Sequence, residues 1–298
     1  MTMANATDAT AASANQPNPV WQRVLTVAPL LPILVGSLWW NLVSVTVVVA
    51  CASLLGLYEL YRGLQQSGYT PYHRYGYAYG MIIVLACYVQ VMYGIELLGA
   101  VLALGLIGSL IVAVFTANED DRALPSWALS VAGVLYIPFL LSHLILLRSV
   151  NTPLTDGLLT PWVSPGFAWI VFALATTWLG DTFAYFVGRS MGRTPLAPHI
   201  SPKKTWEGGV GGLVGAALTG IGCVYLFGLP ISPVIGALLG GISGIIGPLG
   251  DLAESQIKRQ IGVKDVGSLL PGHGGILDRI DSILFMVPII YYGIVWLY

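Results

Sequence analysis

Between Gly250 and Asp281 the chain reads GDLAESQIKRQIGVKDVGSLLPGHGGILDRID, a run with five carboxylates, four cations, a histidine and a glycine cluster. On a helix starting near Asp251, the residues Asp251, Glu254, Ser255 and Lys258 fall at i, i+3, i+4 and i+7 and share one stripe. Asp278 and Asp281 repeat the i, i+3 spacing at the end of the run. Carboxylates so close repel one another unless a cation lies between them. Hard oxygen donors of this kind suit Mg²⁺ rather than Zn²⁺, and Mg²⁺ commonly combines one or two carboxylates with substrate phosphates. The competing explanation is a set of surface charges paired with Arg259 and Arg279, but a solvated face has no need of the intervening PGHGG. There Gly272, Gly274 and Gly275 let successive backbone N–H groups form an anion nest, and His273 is placed to donate to a phosphate.

Two further clusters have residue types suited to phosphate or metal. Ser201-Pro-Lys203-Lys204-Thr205-Trp-Glu-Gly leads into an apolar segment, and paired lysines and hydroxyls before a helix N-terminus suit a polyphosphate. Flanking positive charge alone would explain the lysines equally well. Asp181 sits inside an apolar stretch, where a carboxylate costs about 3 kcal/mol on insertion scales unless it faces a bundle interior. It binds metal or pairs with Arg189. No GxxxxGK[ST] occurs, so this is not a P-loop site. His143 reads as an intramembrane histidine with its own partners, and His73 and Arg74 as a headgroup-level loop. Cys51, Cys87 and Cys223 lie in apolar runs at unrelated spacings, which argues against zinc or a disulfide framework.

The elements that position these groups must be membrane helices. Of 298 residues, 56% are hydrophobic and 9% charged, with a mean hydropathy of +0.77, against about 25% charged residues in soluble domains. Stretches of roughly 20 apolar residues fall at about 24–40, 42–61, 75–93, 96–116, 127–147, 167–188, 209–228, 232–250 and 281–298, so the expected fold is an all-α polytopic membrane protein of nine spans. Residues 1–19 read as a disordered cytosolic tail, 20–165 as N-terminal helices that serve as scaffold or lipid access, and 166–298 as the catalytic region. With the N-terminus cytosolic, Arg23, Arg62, Arg74, Arg122, Arg189, Arg193, Lys203, Lys204, Lys258, Arg259, Lys264 and Arg279 collect on the cytosolic side and only Arg148 on the other. The loops 189–207 and 251–280 are then both cytosolic, and the C-terminus lies on the opposite side. A net charge of −1 gives no footing for nucleic acid. Glycines at four-residue spacing (Gly208 and Gly212, Gly211 and Gly215, Gly236, Gly240 and Gly244) allow close helix packing, within one subunit or across a homodimer.

Ser255-Gln-Ile-Lys258-Arg259, Lys264-Asp265, Leu270-Pro-Gly-His-Gly-Gly275 and Asp278-Arg-Ile-Asp281 together resemble the signature of the phosphatidate cytidylyltransferases, or CDP-diacylglycerol synthases. The Ser201–Gly208 and Trp178–Tyr185 segments are similar to that family too, so the likeness covers roughly residues 167–298. It implies cytidylyl transfer from CTP to phosphatidic acid, yielding CDP-diacylglycerol and pyrophosphate, with Mg²⁺ required and K⁺ as companion ion, in a cell inner membrane. By resemblance Asp251 and Asp278 are the main metal ligands, with Asp281 and Asp181 close by. Lys203, Lys204, Lys258, Arg259, Lys264 and His273 would meet nucleotide and phosphate. The chemistry agrees: a phosphate monoester is mostly dianionic at pH 7 and brings its own nucleophile, so the protein must neutralise charge rather than supply a nucleophile. Two alternatives are a CTP-dependent polyprenol or phytol kinase, which needs a general base for its alcohol, and a cation transporter. The transporter is disfavoured because the first half has no counterpart to the second half's carboxylates.

Overall fold

A computed structural model describes residues 32–116, 123–262 and 275–298, and most of them are helical. Helix α1 covers 32–40 and turns at Asn41 into α2, Leu42–Gln66. The turn is fixed by a capping box, in which Asn41 accepts from Ser44 N and the Ser44 hydroxyl accepts from Asn41 N. Helices α3 (His73–Tyr93) and α4 (Leu98–Thr116) follow, separated by Gly94 in the left-handed region at φ 68°. Next come α5 (Ala123–Val134), a π-helical turn (Leu135–Phe139) and α6 (Leu140–Arg148), which run as one continuous helix. The π turn contains Pro138, whose missing N–H breaks the regular ladder at that point.

The C-terminal half begins with α7, Pro165–Met191, which is N-capped by Ser164 and has Pro165 at its first position. A small antiparallel hairpin of β1 (Pro195–Ala197) and β2 (Ser201–Thr205) interrupts the helices. Thr205 then caps α8, Trp206–Phe227, by accepting from Gly208 N at 3.1 Å. Ser232 and Pro233 start α9, Pro233–Gln260, and α10 runs Leu277–Val295. Seven of these helices, counting α5 to α6 as one, are long and apolar enough to cross a membrane.

Successive helices among α7, α8, α9 and α10 pack antiparallel and close. A Cβ on Gly220 would lie 2.1 Å from Gly236 O, and one on Gly240 would lie 2.3 Å from Ala216 O, so α8 and α9 meet at backbone contact. The spaced glycines therefore serve packing within one chain. Helix α10 runs against α9, with Gly250 beside Asp281 and Phe285, and Gly293 beside Leu239. It runs along the α5–α6 helix in the same direction: Tyr136 packs on Phe285, and His143 on Tyr291 and Tyr292. One end of the bundle therefore gathers the C-terminal ends of α7 and α9, the hairpin, and the start of α10. The other end gathers the α1–α2 turn, Arg148 and the start of α7.

Three sequence expectations meet a different local structure. The 189–207 connection holds a strand pair rather than an irregular loop. Gly247-Pro248 reads as a break in the span, yet α9 continues through Pro248 to Gln260. Cys87 and Cys223 are buried, as small core residues should be, but Cys51 is exposed on α2. His143 is buried, with Nδ1 at 3.0 Å from Phe139 O, which fits a structural histidine.

Candidate active site

The stripe expected on α9 exists. Ser255 Oγ donates to Asp251 Oδ1 at 3.3 Å, and one turn on, Lys258 Nζ contacts the Glu254 carboxylate. Lys258 also donates to Asp278 Oδ1 at 2.6 Å and so ties α9 to the first turn of α10. Asp278 Oδ2 accepts from Gly275 N at 2.9 Å, so this carboxylate both holds the segment just before α10 and faces a lysine. Asp281, one turn further, points to the other side of Lys258's neighbourhood. Asp251, Glu254 and Asp281 each offer an oxygen, and these oxygens lie within 4.8 Å of one another. Glu254 is 0% exposed and Asp281 9%, and Glu254 Oε1 has no hydrogen-bond partner among the described residues.

From the hairpin, Lys204 reaches across to α9. Its Nζ lies 2.6 Å from Asp251 Oδ2 and donates to Pro248 O at 3.1 Å. Among the described residues, two lysines thus face four carboxylates, Asp251, Glu254, Asp278 and Asp281, so carboxylates outnumber the lysines there. Buried carboxylates without enough partners are costly, so the cluster is built for cations or for protons.

The remaining expected residues divide by place. Asp181 on α7 is exposed and in electrostatic range of Lys204 and Asp251, yet it hydrogen-bonds to none of the described residues. Ser201 and Thr205 bound β2; Thr205 is spent on capping α8, and Lys203 is exposed. Arg259 and Arg279 are exposed at the same end, and Arg279 has partners. Lys264, Gly272, His273 and Gly274 lie outside the described residues, while Gly275 is buried against the cluster. Glu207, unremarked in the sequence, accepts from Arg193 N at 3.1 Å and from Thr194 N at 3.2 Å, and so braces the hairpin.

Residues from the first half also reach the site. Glu59 on α2 is 2% exposed, and its Oε2 accepts from Leu277 N at 2.9 Å. Helix α10 has no side-chain cap of its own at Ile276, so Glu59 supplies an acceptor from another helix, where a carboxylate suits the helix dipole. A Cβ on Gly275 would sit 2.6 Å from that carboxylate, so a larger residue there would push Glu59 away from Leu277 N. Tyr136, on the π turn, has a buried hydroxyl without a hydrogen-bond partner and lies in electrostatic range of Glu254, Asp281 and Asp251. Glu254 was visible in the sequence as part of the stripe. Glu59 and Tyr136 were not, because nothing local marks a residue whose partner is more than a hundred positions away.

A helical membrane bundle with buried carboxylates and lysines converging at one end defines a protein that handles a charged ligand at the membrane boundary. The chain belongs to the Cytidylyltransferase family, which it matches over residues 21–297. It is 32% identical over 288 residues to the phosphatidate cytidylyltransferase of Synechocystis sp., covering 92% of this chain and 94% of that protein. Identity to the phosphatidate cytidylyltransferase of Brucella abortus is 34% over 278 residues, covering 90% and 91%. A shorter match of 127 residues to the enzyme of that name from Bacillus subtilis reaches 46%, over 43% of this chain and 47% of the relative.

Proposed function

We propose that this chain is a phosphatidate cytidylyltransferase, which joins CTP and phosphatidic acid to give CDP-diacylglycerol and pyrophosphate. Support comes from relatives of that name matching nine-tenths of the chain and from one observation of the site: Lys204 and Lys258 brought to one end of the bundle among Asp251, Glu254, Asp278 and Asp281. A phosphate oxygen of the lipid attacks the α-phosphorus of CTP, the α–β anhydride bond breaks in line, and pyrophosphate carries away the electron pair. No side-chain nucleophile is required.

Both substrates are polyanions, so the residues' first task is charge balance. Lys204 and Lys258 hold their ammonium groups at the mouth and the floor of the cluster, and each is oriented by a carboxylate rather than free to wander. A substrate phosphate arriving beside either lysine completes a charge-assisted network. Asp251, Glu254 and Asp281 suit Mg²⁺: they are hard oxygen donors within reach of one another, and Glu254 Oε1 is buried without a partner. Bound there, Mg²⁺ would neutralise the phosphates and polarise the P–O bonds. Asp278, tied to Lys258 and Gly275, positions that lysine and the end of the Gly-rich segment; Asp181, near Lys204 and Asp251, is a further oxygen donor on the rim. Arg259 and Arg279 stand at the same end for the outer phosphates. K⁺ as a companion ion would share the same carboxylates.

The placement of charge supports nine spans with a cytosolic N-terminus, α10 being the last of them, so that CTP meets the cluster from the cytosol while the acyl chains stay in an inner membrane. The N-terminal helices then act as scaffold, with Glu59 and Tyr136 reaching the site. The test is an assay in detergent with CTP labelled at either the α- or the γ-phosphate and with phosphatidic acid, a polyprenol or neither. Transfer of the α-label to phosphatidic acid is expected. Transfer of the γ-label to the polyprenol would establish a kinase instead.

A further inference from the structure

At the end of the bundle opposite the carboxylates lies a cleft of about 620 Å³ lined by Trp39, Trp40, Arg148, Pro161, Trp162 and Ser164. Arg148 is twelve residues beyond Tyr136 on the continuous α5–α6 helix, about 18 Å further along the axis at 1.5 Å per residue. Among the described residues it is the one charged residue lining the cleft. A guanidinium has five donors, yet the described contacts use one: a long hydrogen bond of 3.4 Å to Trp39 O. Its Nε is buried and has no hydrogen-bond partner among the described residues.

The bland explanation for a cation here is attraction to the C-terminal end of its own helix. The contacts run against it. Two carbonyls of the last turn of α6, Leu146 O and Leu147 O, accept from Ser149 N and Val150 N, and the guanidinium turns instead to Trp39 on α1. The N-terminus of α7, beginning at Ser164, adds its positive dipole end to the same cleft. A guanidinium and the positive end of a helix at one cleft suit an anion.

We propose that this cleft binds the phosphodiester of an anionic glycerophospholipid, in the leaflet at this end of the bundle. The rim decides between a lipid and a soluble anion. Trp39, Trp40 and Trp162 are 53%, 76% and 74% exposed, an apolar surface that a soluble anion would not use and that suits the headgroup level of a bilayer. Trp39 Nε1 donates to Trp162 O at 3.1 Å, which locks the two sides of the rim together around the cation. The site is separate from the carboxylate cluster and does not rest on the proposed reaction.

The test is native mass spectrometry of the full chain in a neutral detergent, titrated with phosphatidylglycerol or phosphatidylcholine, with inorganic phosphate as competitor. Wild type should hold a phosphatidylglycerol adduct in preference to phosphatidylcholine and keep it in phosphate. Arg148→Gln should bind it at least about tenfold more weakly, with Arg148→Lys in between. The preference in wild type is read without any variant, so a poorly folding Arg148→Gln would not obscure the answer. Equal binding of the two lipids by wild type, or unchanged phosphatidylglycerol binding by Arg148→Gln, overturns the proposal. Displacement by inorganic phosphate at matched concentration also overturns it, in favour of a soluble anion.

Discussion

Replacing Glu254 by Gln separates a catalytic carboxylate from a merely structural one. The side chain keeps its shape, stays in a fully buried position, and loses one negative charge facing Asp251 and Asp281. Removing one partner of a buried ion pair usually costs about 3–5 kcal/mol, because the other charge is orphaned. Here it is not: Lys258 keeps Asp278 at 2.6 Å. Loss of stability should therefore stay near 1 kcal/mol, the net worth of one hydrogen bond. Catalysis should suffer far more. Groups that only orient a metal ligand already cost 10–100-fold when changed, so loss of a ligand oxygen should reduce turnover by at least about 100-fold, or about 2.7 kcal/mol of barrier. The assay is CDP-diacylglycerol formation against Mg²⁺ concentration, with a thermal melt of the same preparation. The expected pattern is a nearly unchanged melting temperature, low turnover and a raised Mg²⁺ requirement. Near wild-type turnover with a lowered melting temperature would refute the assignment and leave Glu254 as packing.

Two further substitutions probe the groups around it. Asp278→Asn weakens the hold on Lys258 and on Gly275 N, and turnover should fall by at least about 100-fold; a change of less than about threefold would remove Asp278 from the site. Glu59→Gln retains an acceptor for Leu277 N but not the charge at the start of α10, so kcat should fall about tenfold while KM for CTP changes little. Glu59→Leu orphans that N–H, a loss of about 1–3 kcal/mol that should lower the melting temperature as well. If both Glu59 variants turn over like wild type, the N-terminal half does not position the site.

Much of this arrangement was legible in the sequence because it is periodic. Apolar runs gave most of the described helices closely, although α9 runs on past the expected end at Gly250 to Gln260, and the i, i+3, i+4, i+7 spacing on α9 put Asp251, Glu254, Ser255 and Lys258 on one face. What periodicity does not encode is which face of α10 meets α9. Asp278 and Asp281 are equivalent as letters, yet packing sends the first to Lys258 and the second toward Asp251 and Glu254. Pro248 was legible as a breaker, but its tertiary surroundings carry the helix through to Gln260. The hairpin was hidden because its strands are three and five residues long and contain prolines. Glu59 stayed out of view for the same reason: its partner Leu277 is 218 residues away.

The claim that this end of the bundle performs cytidylyl transfer is tested most directly by where the label goes. With CTP labelled at the α-phosphate, phosphatidic acid and Mg²⁺, the label should enter the lipid fraction as CDP-diacylglycerol, and γ-labelled CTP should release its label only as pyrophosphate. Label from the γ-phosphate in a lipid product, or no α-label in lipid when phosphatidic acid is present, would contradict it.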